Sequence, residues 1–287
     1  MRASLIQIDV NPDESINSRR RRVGSLIREQ RGSDLVVLPE LWTVGAFAYE
    51  LFADEAETLA GTGEASAGAG DGLPAGTDGG APAGATVREM SEAAREAGVW
   101  LHAGSVPERG ADGVLYNTSL VFSPDGELAH SYRKIHRFGF DKGEAVLMGA
   151  GSQLVTVPLP DLTLGLATCY DLRFPELFRG LVDAGAQAFV IPAGWPERRR
   201  AHWTLLARAR AVENQAYVLA CGTGGTHAGV EQAGHSIAVD PWGEVLAEAG
   251  PGEEVLIVDL DPARVAETRE VFPALKDRVL GLEPPKR

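Results

Sequence analysis

The chain has 287 residues, 44% of them hydrophobic and 23% charged, a balance near the globular average that leaves enough apolar material for a buried core. Its formal net charge is −13, and an acidic surface repels phosphate backbones, which excludes nucleic acid as the expected partner. Two cysteines, Cys169 and Cys221, form neither a disulfide framework nor a paired zinc spacing. The apolar part of Met1 to Val10 is too short for a signal segment or a membrane span. A reducing cytoplasm is therefore the expected compartment, with no membrane partner.

Along the chain, residues 3–9 alternate and predict a strand. Residues 15–31 carry apolar side chains at helical spacing, with Ser15 or Asn11 as the cap. The run 34–38 is short and continuously apolar, as in a strand buried on both faces, and it ends at Pro39-Glu40. Residues 61–84 are rich in Gly, Ala and Pro and nearly free of large apolar residues, so they read as a flexible surface insertion, inert or a lid. A helix over 86–97 and a strand over 99–105 follow. Strands at 115–123 and 127–133 flank Pro124-Asp125-Gly126 as a hairpin. Strands at 153–157 and 162–168 lead to a helix at 175–184 that opens with Pro175. A strand at 188–192, a helix at 199–215 and strands at 217–221, 235–240, 244–248 and 254–260 complete the pattern, before a short helix and a C-terminal tail at 270–287. Strands and helices alternate early and hairpins enter later, which predicts an α/β fold with mixed sheets covered by helices. With no linker and no internal repeat, residues 1–287 read as a single domain.

Three residues stand where chemistry is possible. Cys169 follows an apolar strand and precedes a helix, a corner that fixes a side chain, and the helix start favours a thiolate. Taken alone, a buried structural cysteine is the commoner fate, and Cys221 keeps that reading. Glu40 sits at the carboxyl end of a buried strand, where α/β sheets place their ligands, and can serve as a general base; taken alone, an exposed loop glutamate is the commoner case. Lys134, in Ser-Tyr-Arg-Lys-Ile-His-Arg-Phe, can stabilise an oxyanion or belong to a solvated basic cluster with Arg133, His136 and Arg137. Of six histidines only His136, beside Lys134, has a distinctive setting.

The set in this order resembles the nitrilase superfamily of carbon–nitrogen hydrolases over nearly the whole chain. The resemblance rests on Leu38-Pro39-Glu40-Leu41-Trp42, Tyr132-Arg133-Lys134-Ile135-His136, and Thr168-Cys169-Tyr170-Asp171-Leu172-Arg173-Phe174-Pro175-Glu176. Tyr116-Asn117-Thr118-Ser119 and Arg208-Ala209-Arg210-Ala211-Val212-Glu213-Asn214 support it. It implies a four-layer α-β-β-α sandwich and a homodimer or higher homo-oligomer. It also implies a Glu40, Lys134, Cys169 triad that needs no metal or cofactor, with the Tyr170 N–H assisting Lys134 and Glu144 as a second glutamate.

Cys-Tyr-Asp-Leu-Arg-Phe-Pro-Glu is similar to the ω-amidase branch rather than to true nitrilases, which place Trp-Glu after the cysteine. This implies that the partners are a small-molecule amide and water. Arg173 is then the position that holds a substrate carboxylate, or else it pairs with Asp171 or Glu176. Trp195 lines the acyl pocket or simply packs. An N-carbamoyl hydrolase with the same triad and a non-catalytic scaffold relative are the other readings. Residues 61–84 and Phe138-Gly139-Phe140 depart from the pattern of the resemblance and bear on the pocket.

Overall fold

The computed structural model describes residues 1–59 and 83–280. The expected insertion at 61–84 lies outside the described residues except for Ala83 and Gly84, as do residues 281–287 of the expected tail. In chain order the elements open with β1 (Arg2–Asp9), α1 (Ile16–Arg28), β2 (Leu35–Val37), α2 (Ala85–Ala97), β3 (Trp100–Arg109), β4 (Leu115–Phe122) and β5 (Leu128–Arg133). They continue with α3 (Glu144–Leu147), β6 (Thr156–Pro158), β7 (Thr163–Leu166), α4 (Pro175–Asp183), β8 (Ala188–Ala193), α5 (Arg200–Asn214) and β9 (Tyr217–Gly224). The last are β10 (Thr226–His227), β11 (Val230–Glu231), β12 (Ile237–Val239), β13 (Val245–Glu248), β14 (Glu254–Asp259) and α6 (Ala263–Val271). Ser15, not Asn11, caps α1, accepting a hydrogen bond from the Ser18 N–H, and Pro175 takes the first turn of α4 as expected.

The strands make two mixed layers. One runs β14-β1-β2-β3-β4-β5, the other β13-β12-β9-β8-β7-β6. Only a short parallel pairing of β1 with β9, Ile8↔Thr223 and Asp9↔Gly224, stitches them into a continuous path.

The alternation of side chains within each strand explains the layering. Leu5 of β1, Leu35 and Val37 of β2, Val190 of β8 and Leu219 of β9 point into the core between the sheets. Ile6, Ile8 and Val36 point outward, against Val23 and Ile27 of α1 and Met90 and Ala94 of α2. Phe189, Ile191 and Val218 point outward on the other side, against Leu177 and Phe178 of α4 and Trp203 and Ala207 of α5. The chain is thus an α-β-β-α sandwich, as the resemblance implied. Both faces of the central strands are covered, which is why 34–38 and 188–192 read as unbroken apolar runs.

Cys221 lies in the intersheet core, its thiol donating to the Ile6 and Val37 carbonyls at 3.4 Å each. Part of the expected tail is ordered: α6 ends at Val271, and the Gln215 side chain donates to the Phe272 carbonyl at 2.6 Å. No helix among the described residues is long and apolar enough to cross a membrane.

His102 of β3 is fully buried, and neither ring nitrogen has a partner among the described residues. Burial lowers its pKa from 6.5 to about 4, so the native state keeps it neutral while the unfolded chain protonates it first. Stability is fully present above about pH 6.5 and falls as the pH drops toward 4, by roughly 3 kcal/mol at most from this residue. Urea unfolding of His102→Leu at pH 7 and pH 4.5 is expected to show a smaller acid loss than wild type; an equal loss in both would remove His102 as a cause.

Candidate active site

Glu40 is fixed by the way β3 approaches the loop after β2. Gly104 has φ +64°, and a Cβ there would collide with the Pro39 carbonyl oxygen, so the close approach requires glycine. The Ser105 N–H donates to that same carbonyl at 3.3 Å. Leu41, held at φ +45°, donates its N–H to Ser105 Oγ at 3.0 Å, and the Trp42 indole N–H donates to the Ala103 carbonyl at 2.9 Å. The loop therefore has no freedom to swing Glu40 away.

Lys134 follows β5 directly and donates its backbone N–H to the Asn117 carbonyl at 2.9 Å. Its ammonium lies 2.7 Å from Glu40 Oε1 and 2.6 Å from Glu144 Oε2, Glu144 being the first residue of α3. All three side chains are buried. Asn117 of β4 joins the two carboxylates, donating from Nδ2 to Glu40 Oε1 at 2.9 Å and to Glu144 Oε1 at 2.6 Å. The Gly194 N–H closes the set on Glu40 Oε2 at 2.8 Å, and the Phe138 N–H closes it on Glu144 Oε2 at 3.0 Å. Burial alone would lower the Lys134 pKa, but Glu144 and then Glu40 outweigh it and hold the ammonium well above its ordinary range. Burial raises the Glu144 carboxyl against the pull of Lys134.

Cys169 opens a separate 3₁₀ turn, Cys169–Arg173, ahead of α4. Its φ of +47° is the left-handed conformation that β-carbon sterics disfavour, so the corner is strained. Asp171 holds it in place. This fully buried carboxylate accepts the Thr168 N–H at 2.9 Å, the Tyr132 hydroxyl at 2.7 Å and the His136 N–H at 2.9 Å. The turn that carries Cys169 is thereby tied to Tyr132 and His136, two residues before and two residues after Lys134. The Cys169 thiol points toward the Gly194 carbonyl, Sγ to oxygen 3.8 Å. The expectation that a helix start favours its thiolate is corrected. Burial first, and the Glu40 charge second, push the thiol well above its ordinary range, because one short turn offers little dipole against full desolvation. The sulfur is therefore held as a thiol.

These groups form the floor of a cleft of about 340 Å³, partly open to solvent. Tyr170, Arg173 and Trp195 line it, as do Phe47, Phe138 and Arg199. All seven residues expected from the sequence converge here, with Lys134 just beneath the lining. Arg173 makes no ion pair with Asp171 or Glu176 among the described residues, since Asp171 is committed elsewhere. Its guanidinium instead lies 4.8 Å above the Trp195 ring, beside His202 Nδ1. Trp195 lines the cleft and also packs on Trp203, with centroids 5.5 Å apart. Sequence reasoning missed the bridging role of Asn117, the anchoring role of Asp171 and the presence of Arg199. The first two sit inside the motif blocks; Arg199 carried no signal.

A family model described as carbon-nitrogen hydrolase matches residues 2–270. The chain belongs to the carbon–nitrogen hydrolase family. Among its relatives is the 2-oxoglutaramate amidase of Paenarthrobacter nicotinovorans, 38% identical over 280 residues, covering 95% of this chain and 87% of that one. Another is the omega-amidase NIT2 of Mus musculus, 36% identical, covering 96% and 94%. Among solved structures, Nit3 of Saccharomyces cerevisiae, a member of branch 10 of the nitrilase superfamily, superimposes with a TM-score of 0.82 at 29% identity, covering 98% of this chain and 97% of that one. A CN-hydrolase superfamily protein from Xanthomonas campestris gives 0.83 at 30% identity, covering 99% and 98%.

In this carbon–nitrogen hydrolase, Asp171→Ala removes the acceptor of the Thr168 N–H, the Tyr132 hydroxyl and the His136 N–H, and the partner of the His136 ring. It is expected to lower stability by roughly 3–5 kcal/mol in urea unfolding and to slow alkylation of Cys169 by iodoacetamide at neutral pH. A fall within about 0.5 kcal/mol, with unchanged alkylation, would mean that Asp171 anchors nothing.

Proposed function

We propose that this family member hydrolyses the amide bond of a small, carboxylate-bearing substrate through a thioester on Cys169. The single observation that carries the reading is the convergence of Glu40, Lys134 and the thiol of Cys169 at the buried floor of one cleft. Relatives named as 2-oxoglutaramate amidase and omega-amidase support the amide as the bond attacked.

As Sγ attacks the amide carbonyl carbon, Glu40 takes the thiol proton. An ammonium has three N–H donors. Two of those on Lys134 are engaged by Glu40 and Glu144, and the third is available to the developing oxyanion, together with the Tyr170 N–H. Glu40 returns the proton to the leaving nitrogen, the C–N bond breaks and ammonia departs. Water then gives a proton to Glu40 and its oxygen attacks the thioester carbon. The C–S bond breaks, the proton returns to sulfur and the acid leaves. Glu144 and Asn117 hold the lysine and the base in register throughout. The Arg173 guanidinium, 4.8 Å from the Trp195 ring centroid, receives the substrate carboxylate at the half-exposed end of the cleft.

The protein also exposes Val212 of α5, Trp242 and Phe272 as one patch, with Trp242 and Phe272 rings 6.2 Å apart. Pairing of two copies over this face fits an isologous homodimer. Sedimentation of Val212→Glu/Phe272→Glu is expected to give a lighter species than wild type; identical profiles would place any interface elsewhere.

Ammonia release from 2-oxoglutaramate, glutamine and an N-carbamoyl amino acid tests the reaction. Cys169→Ser is expected to abolish nearly all turnover, and Lys134→Ala to lower kcat by roughly 10²-fold or more. Undiminished activity in Cys169→Ser would sink the mechanism, and a loss confined to KM in Lys134→Ala would make the lysine a ground-state binding group. Carbon dioxide released with ammonia would mark a carbamoyl substrate.

A further inference from the structure

Glu144 stands on an element that cannot hold itself. α3 has four residues, Glu144–Leu147, no side chain caps its start, and Glu144 is its one buried residue. Val146 and Leu147 face solvent. A single helical turn is unstable in isolation, because its first hydrogen bond fixes several dihedrals at once. Yet Glu144 Oε2 lies 2.6 Å from the Lys134 ammonium, and that contact is only as steady as the turn that carries it.

Two contacts fix the turn from outside. At its start, Gly143 has φ +77° and lies so close to the Tyr49 ring that a Cβ on it would stand 2.9 Å from the ring carbon Cζ. At its end, Arg137 Nη1 donates to the Ala145 carbonyl at 3.2 Å and to the Met148 carbonyl at 2.7 Å. The last carbonyls of a helix find no N–H within it, and an arginine can supply the donor. Phe138 extends the tie: its carbonyl accepts the Ala145 N–H at 3.2 Å, and its N–H donates to Glu144 Oε2 at 3.0 Å. Arg137 is three residues after Lys134, so the lysine and the clamp on its carboxylate share one short segment. The charges that weigh most on Glu144 are those of Lys134 and Glu40. Arg137 therefore works through the backbone that it holds rather than through its own charge.

Resting on the amidase reading, we infer that Arg137 is a positioning residue: it locks α3 so that Glu144 stays on Lys134 and the third lysine N–H stays aimed at the oxyanion. Without the lock the turn frays, Glu144 swings toward solvent, and Glu40 is left as the carboxylate partner of the lysine. The ammonium then turns toward that partner and loses its aim. It also loses part of the negative charge that keeps it protonated. Glu144, Glu40 and Cys169 are the titratable groups that bear on Lys134, with the half-buried Tyr49 beside them, and Glu144 pulls hardest of these.

Arg137→Met keeps the apolar stem and removes the donors. Ammonia release from 2-oxoglutaramate, read as kcat and KM between about pH 6 and about pH 10, is measured beside amide hydrogen exchange of residues 143–149. In Arg137→Met, kcat is expected to fall by about tenfold or more with KM within about threefold of wild type. A new alkaline limb is expected in its kcat profile below about pH 10, because a lysine with fewer anionic neighbours gives up its proton earlier. Exchange across 143–149 is expected to quicken by about tenfold or more. Arg137→Lys, with one cationic donor, is expected to fall between the two proteins in kcat and in exchange. If Arg137→Met gives no folded protein by circular dichroism, Arg137→Gln carries the same comparison. Exchange that stays at the wild-type rate would overturn the inference, and so would a fall in kcat that is the same at every pH, as a general loosening of the fold gives. Failure of the wild-type protein to release ammonia from any amide of the panel would instead strike the amidase reading, and the exchange arm would still decide whether Arg137 locks the turn of Glu144.

Discussion

A lysine ammonium held between two carboxylates out of reach of water is the constraint on which the site depends. Desolvating three charges is costly, and their mutual attraction offsets that cost only when every lone pair and proton is used. Here the accounts of Glu40 and Glu144 are closed by Lys134, Asn117, Gly194 and Phe138. Two of the four donors are backbone N–H groups and the other two are side chains rooted in β4 or directly after β5, so the carboxylates cannot relax without moving that scaffold. Burial first, and then the negative charge of Glu40, keep the neighbouring Cys169 sulfur protonated.

Much of this was legible in the sequence because it is local. The runs 34–38 and 188–192 announce strands covered on both faces, and Pro124-Asp125-Gly126 and Pro175 mark a turn and a helix start. Glu40, Lys134 and Cys169 each stand at the end of a strand, inside a contiguous block. The pairing of β1 with β9 was not legible, since it joins residues more than 200 positions apart through two registers only. Nor was Asn117 as the bridge between two glutamates, because its partners lie 77 and 27 residues away. Arg199 sits in a run of three arginines, Arg198 to Arg200, where composition gives no reason to prefer one. Only the fold turns the middle one toward Phe138.

The local reading failed instructively at Cys169. A strand followed by a helix predicts a helix-dipole effect on the thiol. The structure inserts a 3₁₀ turn between them and buries the sulfur, and desolvation outweighs one turn of aligned peptides. Asp171, two residues before Arg173 and one of the two ion-pair partners the sequence offered it as an alternative, is turned inward to hold backbone and hydroxyl donors. A carboxylate near an arginine in sequence is weak evidence of pairing when buried donors compete for it.

The two sheets contribute opposite halves of the cleft. Glu40 and Lys134 follow β2 and β5 and Asn117 lies within β4, whereas Cys169, Gly194 and Trp195 follow β7 and β8. The gap that a substrate carbonyl must fill is therefore the spacing between the sheets, set by Leu5, Val37, Val190, Leu219 and their neighbours in the intersheet core. The molecule works as a caliper whose jaws are the sheets and whose screw is that apolar layer. A methyl group added or lost deep in the layer, far from any polar atom of the site, resets the jaw width and with it the alignment of sulfur, carboxylate and ammonium.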